Sequence, residues 1–225
     1  VEPQEFDAYS AAHPKMNIEA LPKDNGGFSY LMNQMVKRTL DSGERYFAFT
    51  DDDVTDLRDR ESICGKFRRV ANVEERLFQL FDFAESYGLA QLAVSFAGQS
   101  WAAREAIKKD VGAWGVHITD AQAIRAIGGY DESLPCFGDW DVSARLIQAG
   151  HRTARTNLIT FVHKMKSHPG GAEDVYQASE RVKEAAFRVS AKFPPGCATV
   201  RWVPSHGLHE VRFNWKRLSQ GIPKH

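Results

Sequence analysis

Three carboxylates stand in a row in the stretch YFAFTDDDVTD, at Asp51, Asp52 and Asp53, directly after a run of apolar and aromatic residues. Arg45 to Thr50 has the composition of a short buried strand, so the acids emerge at its carboxyl end. Side chains of an extended segment alternate in direction, which lets Asp51 and Asp53 point one way while Asp52 points the other. Two carboxylates held close repel unless one takes a proton or a cation lies between them. A hard divalent ion, Mg²⁺ or Mn²⁺, takes such ligands together with the oxygens of a substrate phosphate. The competing expectation is a surface turn, which aspartate also favours. A turn, however, has no need of three acids behind so apolar a strand.

Two further groups of residues can do chemistry. In GGYDESLPCFGDWDVSARLIQAGH, Gly128 to His151, Asp139 and Asp141 flank Trp140 where a helix begins. One acid there can cap the helix. The other can act as a general base that takes the proton of an acceptor hydroxyl. In FVHKMKSHPGGAED, Phe161 to Asp174, two histidines and two lysines precede Gly170 and Gly171 at the start of a long helix. Backbone amides at a glycine-rich helix start bind phosphate. Lys164 and Lys166 can neutralise a leaving diphosphate. His163, at a strand end, is either a further metal ligand or a structural histidine.

The elements that must position these residues follow from periodicity and punctuation. Ser29 to Ser42 and Glu74 to Tyr87 read as amphipathic helices closed by Gly43 and Gly88. Leu89 to Phe96 and Ala113 to Ile118 read as strands. Thr119 is the expected N-cap of a helix ending at Gly128-Gly129. Asp141 to Gln148 reads as a helix, Arg152 to Val162 as extended chain and Ala172 to Lys192 as a long helix. Thr199 to Val203 and Glu210 to Phe213 read as late strands. Strands alternating with helices predict an α/β fold, and in open sheets of that class ligands sit beyond the carboxyl ends of the strands.

The 225 residues fit one large domain or a domain with a small appendage, at 43% hydrophobic and 26% charged. No apolar run approaches the roughly 20 residues of a membrane span. Cys64, Cys136 and Cys197 are odd in number and far apart, which argues against a disulfide framework or a zinc knuckle and suits a reducing cytoplasm. The first residue is Val1, so the start of the chain says nothing about targeting. The zero net charge hides an asymmetry. Residues 151–225 hold 13 Lys and Arg against 5 Asp and Glu, and residues 1–150 hold 16 against 24. An acidic front suits a cation and a basic back suits a polyanion, unless both are only solvated surface. Arg201, Arg212, Lys216 and Arg217 are the candidate phosphate contacts. Trp202 and Trp215 lie among them, suited either to stacking on bases or to core packing.

Together these residues resemble the GT-A glycosyltransferases. In that superfamily a strand ends in a DxD motif, matched by Asp51, Asp52 and Asp53, followed downstream by GG(F/Y)DE and (E)DWD. These are matched by Gly128 to Glu132 and by Gly138-Asp139-Trp140-Asp141, with Gly138 where an acid is common. The segments VEPQEFDAY, ALPKDNGG, YFAFTDDDV, SHPGG and EVRFNWKRL are similar to the TET-associated glycosyltransferases of phages, over nearly the whole chain.

The resemblance implies one GT-A-like (Rossmann-like) domain, a mixed sheet flanked by helices. Residues 1–118 would form its nucleotide-sugar and metal half and 119–225 its acceptor half. VEPQE resembles the family's second strand, so a first strand and helix are expected upstream. The implied donor is a nucleotide sugar, a UDP-sugar in first place, bound through Asp51, Asp52, Lys164, Lys166, Gly170 and Gly171. The implied Mn²⁺ or Mg²⁺ is held by Asp51, Asp53 and His163. Asp139 and Asp141 are the implied catalytic acids, Asp139 being the base in inverting members. The implied acceptor is a 5-hydroxymethylpyrimidine (5-hydroxymethylcytosine) in phage DNA, with Arg201, Arg212, Trp215, Lys216 and Arg217 the expected contacts, the nucleotide expected to be flipped out and the host cytoplasm the expected location. The alternatives are a GT-A enzyme acting on a glycan, lipid or protein, and a non-enzymatic nucleic-acid-binding protein. A metal-dependent nuclease ranks behind both.

Overall fold

The computed structural model describes residues 11, 27–51, 54–60, 67–69, 72–96, 107–108, 115–163, 179–204 and 208–220. Helix α1 (Gly27–Asp41) leads into β1 (Tyr46–Thr50), β2 (Val54–Arg60) and β3 (Phe67–Arg69). Helix α2 (Val73–Ser86) and β4 (Leu89–Phe96) follow, then the two-residue β5 (Ile107–Lys108) and β6 (Val116–Asp120). Next come α3 (Ala121–Ala126), α4 (Gly138–Gln148), β7 (Arg152–His163) and α5 (Ser179–Ala191). A hairpin of β8 (Ala198–Val203) and β9 (Leu208–Phe213) precedes α6 (Trp215–Gln220).

Seven strands form one mixed sheet in the order β1-β6-β4-β7-β2-β3, with β5 against β7. β4 and β7 run parallel, and the other pairs are antiparallel. The expected α/β class and mixed sheet are therefore present. β2 and β3 add to what the sequence indicates. VTDLRDR is rich in charge and lacks a clear apolar alternation, so its strand state comes from the β7 ladder rather than from propensity.

The sheet is curled, and Asp51 sits where its two ends approach. Four strand-to-strand steps separate β1 from β2, about 19 Å in a flat sheet. Yet the Val54 amide donates to the Asp51 carbonyl at 3.3 Å, a tight turn joining the two strands. The bend needed to close that gap shows in the ladders. The β4–β7 register jumps between Val94 and Ser95, from Thr156 to Thr160.

Each face of the sheet carries its own core. Leu92, Val94, Val116, Ile118 and Phe161 face Leu80 and Ala84 of α2. Phe47 and Ala90 face Met32 of α1, Ile124 of α3 and Val142 and Leu146 of α4. A third core joins α4 to α5, the hairpin and α6 through Ile147, Val189, Phe193, Val211 and Leu218. Helix boundaries shift where a better cap exists. Thr119 lies fully buried inside β6, and Asp120 caps α3 instead, its Oδ1 accepting from the Gln122 and Ala123 amides at 2.8 and 3.0 Å. The other Asp120 oxygen accepts from Arg45 Nε at 2.8 Å, which ties the start of β1 to the start of α3.

Candidate active site

Asp51 stands at the carboxyl end of β1, locked to the chain entering β6. Its amide donates to the Gly115 carbonyl at 2.9 Å, and its Oδ2 accepts from the Gly115 amide at 2.9 Å. Gly115 has φ +79 and presses against the Phe161 ring, so a Cβ there would collide with it. Glycine is therefore required on both counts. Val54, which begins β2, pairs with His163 at the end of β7. The backbone thus brings Asp51 and Val54 to the same sheet end as His163. Asp52, Asp53, Lys164, Lys166, Gly170, Gly171 and the His163 side chain lie outside the described residues. Among the described residues no group of three His, Cys, Asp or Glu is arranged to hold a metal ion.

Asp139 sits in the first turn of α4. Burial pushes its carboxyl up to about 7, and the negative charge of Asp51 adds to the effect. The backbone amides of Trp140 and of Asp139 itself, together with Arg155, pull the other way. Near neutrality such a carboxyl is divided between acid and base forms, as a proton-transfer group must be. Neighbours feel it in turn. Cys136 is pushed up to about 12 by burial and then by Asp139, and Tyr130 is raised by the same two causes.

Neither acid caps its helix. The N-cap position is Phe137, a left-handed residue at φ 64 with no side-chain cap hydrogen bond. Asp141 has a different role from Asp139. It is fully buried, and Arg145 Nη2 reaches its Oδ2 at 2.7 Å while Lys192 Nζ donates to its Oδ1 at 3.0 Å. Arg145 also donates to the Ile127 and Gly129 carbonyls at 2.8 and 2.7 Å. Lys192 also holds Asp131 at 2.6 Å. Burial works to raise the Asp131 carboxyl, but hydrogen bonds from Lys192 and Ser133 outweigh it and hold the group well below the usual carboxylate range. Asp141 is thus a structural anchor joining the GGYDE loop, α4 and the end of α5. Asn33 of α1 completes the seam, donating to the Tyr130 carbonyl at 3.0 Å and accepting from the Tyr130 amide at 2.8 Å.

An aromatic wall flanks the acids. Phe28 meets Phe49 and Tyr130 edge-on at 5.5 and 5.9 Å, and Phe49 lies 5.0 Å from the ring of His117. His117 was not among the candidate residues. It is 1% exposed, burial pushes its imidazole down to about 3, and neither ring nitrogen has a hydrogen-bond partner among the described residues. Its only sequence signal was a polar residue in an otherwise apolar strand.

The proposed nucleic-acid residues gather in the C-terminal layer. Thr199 pairs with Arg212 and Arg201 with Glu210. Arg201 and Arg212 are therefore diagonal neighbours on the hairpin face turned away from the third core, with Glu210 at 4.0 Å from Arg212. Lys216 and Arg217 are exposed on α6. Trp215 instead packs against the third core and stacks on Phe213 at 4.8 Å. Trp202 is the exposed tryptophan of the pair, at 48%, with His209 5.0 Å away.

No family model matches the chain, and no curated protein matches it in sequence. Among the described residues no helix is long and apolar enough to cross a membrane. What the chain does must therefore be argued from this site.

Proposed function

We propose that the chain is a GT-A-type glycosyltransferase that moves a sugar from a nucleoside-diphosphate sugar to the hydroxyl of a 5-hydroxymethylpyrimidine in DNA. The observation that carries the reading is a strand-end aspartate, Asp51, whose charge is felt by the carboxyl of Asp139 in the first turn of α4. One carboxylate stands at a strand end that opens a run of three acids, and a second, raised to about 7, lies within its electrostatic reach. Asp51 closes β1 and the His163 backbone pairs with Val54 at the start of β2, and carboxylates such as Asp51 and, by sequence, Asp53 are ligands of the kind a hard divalent cation takes. Such a cation, when bound, supplies neutralising charge to the diphosphate.

In the inverting case Asp139 takes the proton of the acceptor hydroxyl. The acceptor oxygen then forms its bond to the anomeric carbon, and the bond from that carbon to the diphosphate oxygen breaks. The nucleoside diphosphate leaves with the electron pair. Lys164 and Lys166 are the candidate cations for the charge it carries. Arg201, Arg212, Lys216 and Arg217 support DNA as the acceptor, as a basic surface for phosphates.

The test uses Mn²⁺, a panel of nucleotide sugars, and DNA with or without 5-hydroxymethylcytosine, read as a hexose mass gain on the nucleoside. The expected gain requires the hydroxymethyl group and is lost in Asp53→Ala and Asp139→Asn. Hydrolysis of one donor without transfer to DNA would move the acceptor elsewhere. Absence of both reactions would remove the enzyme reading.

A further inference from the structure

Beneath α4, the sheet presents buried polar atoms without a hydrogen-bond partner among the described residues. Gln91 and Thr119 are direct cross-strand partners, and His117 lies two residues from Thr119 along β6, hence on the same face. The three are 2%, 0% and 1% exposed. Among the described residues, Gln91 Nε2, Thr119 Oγ1 and both nitrogens of His117 lack a hydrogen-bond partner. So do Ser29 Oγ and Tyr130 OH, which belong to the helix layer over this face. A single orphaned polar atom is a tolerable cost in a folded protein. Several on adjoining positions are not, because each forfeits its hydration without replacement.

We propose that this layer is an internal water site, in which bound water bridges Gln91, Thr119 and His117. The chemistry of the atoms selects the ligand. The Gln91 amide nitrogen donates, the Thr119 hydroxyl does either, and a neutral imidazole offers one donor and one acceptor. An ion of one sign satisfies only part of that set, whereas water donates and accepts and needs two to four polar partners. The layer also reaches the candidate base. Ser143 Oγ lies 2.6 Å from Gln91 Oε1 and 2.9 Å from the Asp139 carbonyl, so the seat of α4 on the sheet is polar directly beneath the turn that carries Asp139. The site stands whether or not the chain transfers sugars.

Thr119→Val tests it, because valine keeps the shape and removes only the hydroxyl. If water bridges Thr119, the variant strands that water, and the unfolding midpoint falls by about 2–4 °C. A midpoint equal to or above the parent's would overturn the proposal, since an unpartnered hydroxyl gains by replacement with a methyl group. A high-resolution crystal structure of the unaltered protein decides independently. Water density within hydrogen-bond distance of Thr119 Oγ1 and of Gln91 Nε2 or His117 is expected, and a dry layer would refute it.

Discussion

The surroundings of Asp139 and of Asp141 begin alike and end opposite. Both acids lie in the first turn of one helix, and both are held by the same short motif. Asp141 points to the C-terminal layer, where Arg145 and Lys192 meet both of its oxygens. Asp139 points to the end of the sheet, where burial and the like charge of Asp51 outweigh the help it gets from two amides and Arg155. A helix advances about 100° per residue, so a two-residue step turns a side chain to nearly the opposite face. The motif therefore serves two neighbourhoods at once. One anchors the fold, and the other keeps a carboxyl poised to exchange a proton.

The sharpest way to break this comparison is to remove the anchor. Asp141→Ala leaves Arg145 and Lys192 facing a buried gap, and loss of one member of a buried ion pair costs about 3–5 kcal/mol. The unfolding midpoint should fall steeply. Asp139→Asn should do the reverse, with the midpoint held or raised and any transfer activity reduced about 10²–10⁴-fold, the usual contribution of a general base. If both variants unfold alike, the division of labour is wrong.

The pH dependence separates them further. The folded carboxyl of Asp139 is raised above its ordinary value of 3.8, so the folded state binds the extra proton between about pH 4 and 7. Its contribution makes stability fall as pH rises through that window and level off above it. Asp131, beside Lys192, has the opposite sign. Its folded carboxyl is depressed, so its contribution is present above the ordinary carboxylate range and is lost as pH falls through the folded value. Denaturant titrations of parent and Asp139→Asn between pH 4 and 8 should show the falling component only in the parent. Activity that depends on Asp139 as base should rise through about pH 7.

The sequence made part of this arrangement legible. Tyr46 to Thr50 reads as a strand from its aromatics alone, and the acids beyond it stand out against it. Asp139 and Asp141 are visible as a pair, but their division is not, because it depends on Lys192, 51 residues further on. Thr119 and Asp120 are both cap residues by type, with aspartate the better of the two. The structure chooses Asp120 because β6 runs two residues beyond Ile118 and buries Thr119 among its neighbours. Trp202 and Trp215 share a basic setting in the sequence. Only the packing of Trp215 on Phe213 and the third core shows which one stays exposed. Orphaned atoms such as those of His117 have no sequence signature, since burial without a partner is a property of the assembled layers.

The smallest expected effect concerns the residue that sets the helix on its course. Phe137 adopts φ 64 immediately before Gly138, a left-handed backbone that costs a residue with a Cβ about 1–2 kcal/mol. Its ring packs against the third core, and Trp140, one turn on, stacks near Phe213 at 6.5 Å. The two aromatics flanking Asp139 are thus fastened to the C-terminal layer, and the packing of Phe137 offsets the strain. Removing the ring by either Phe137→Ala or Phe137→Gly gives up that packing. The two variants then differ in backbone alone. Alanine retains the penalty of the left-handed region and glycine does not, against about 0.4–1 kcal/mol of extra unfolded-state entropy for glycine. The glycine variant should therefore be the more stable of the two by about 1 kcal/mol, the reverse of the order in an ordinary helix. Equilibrium urea unfolding of both reads this directly. If alanine proves the better residue, the left-handed turn has relaxed and does not fix where Asp139 begins.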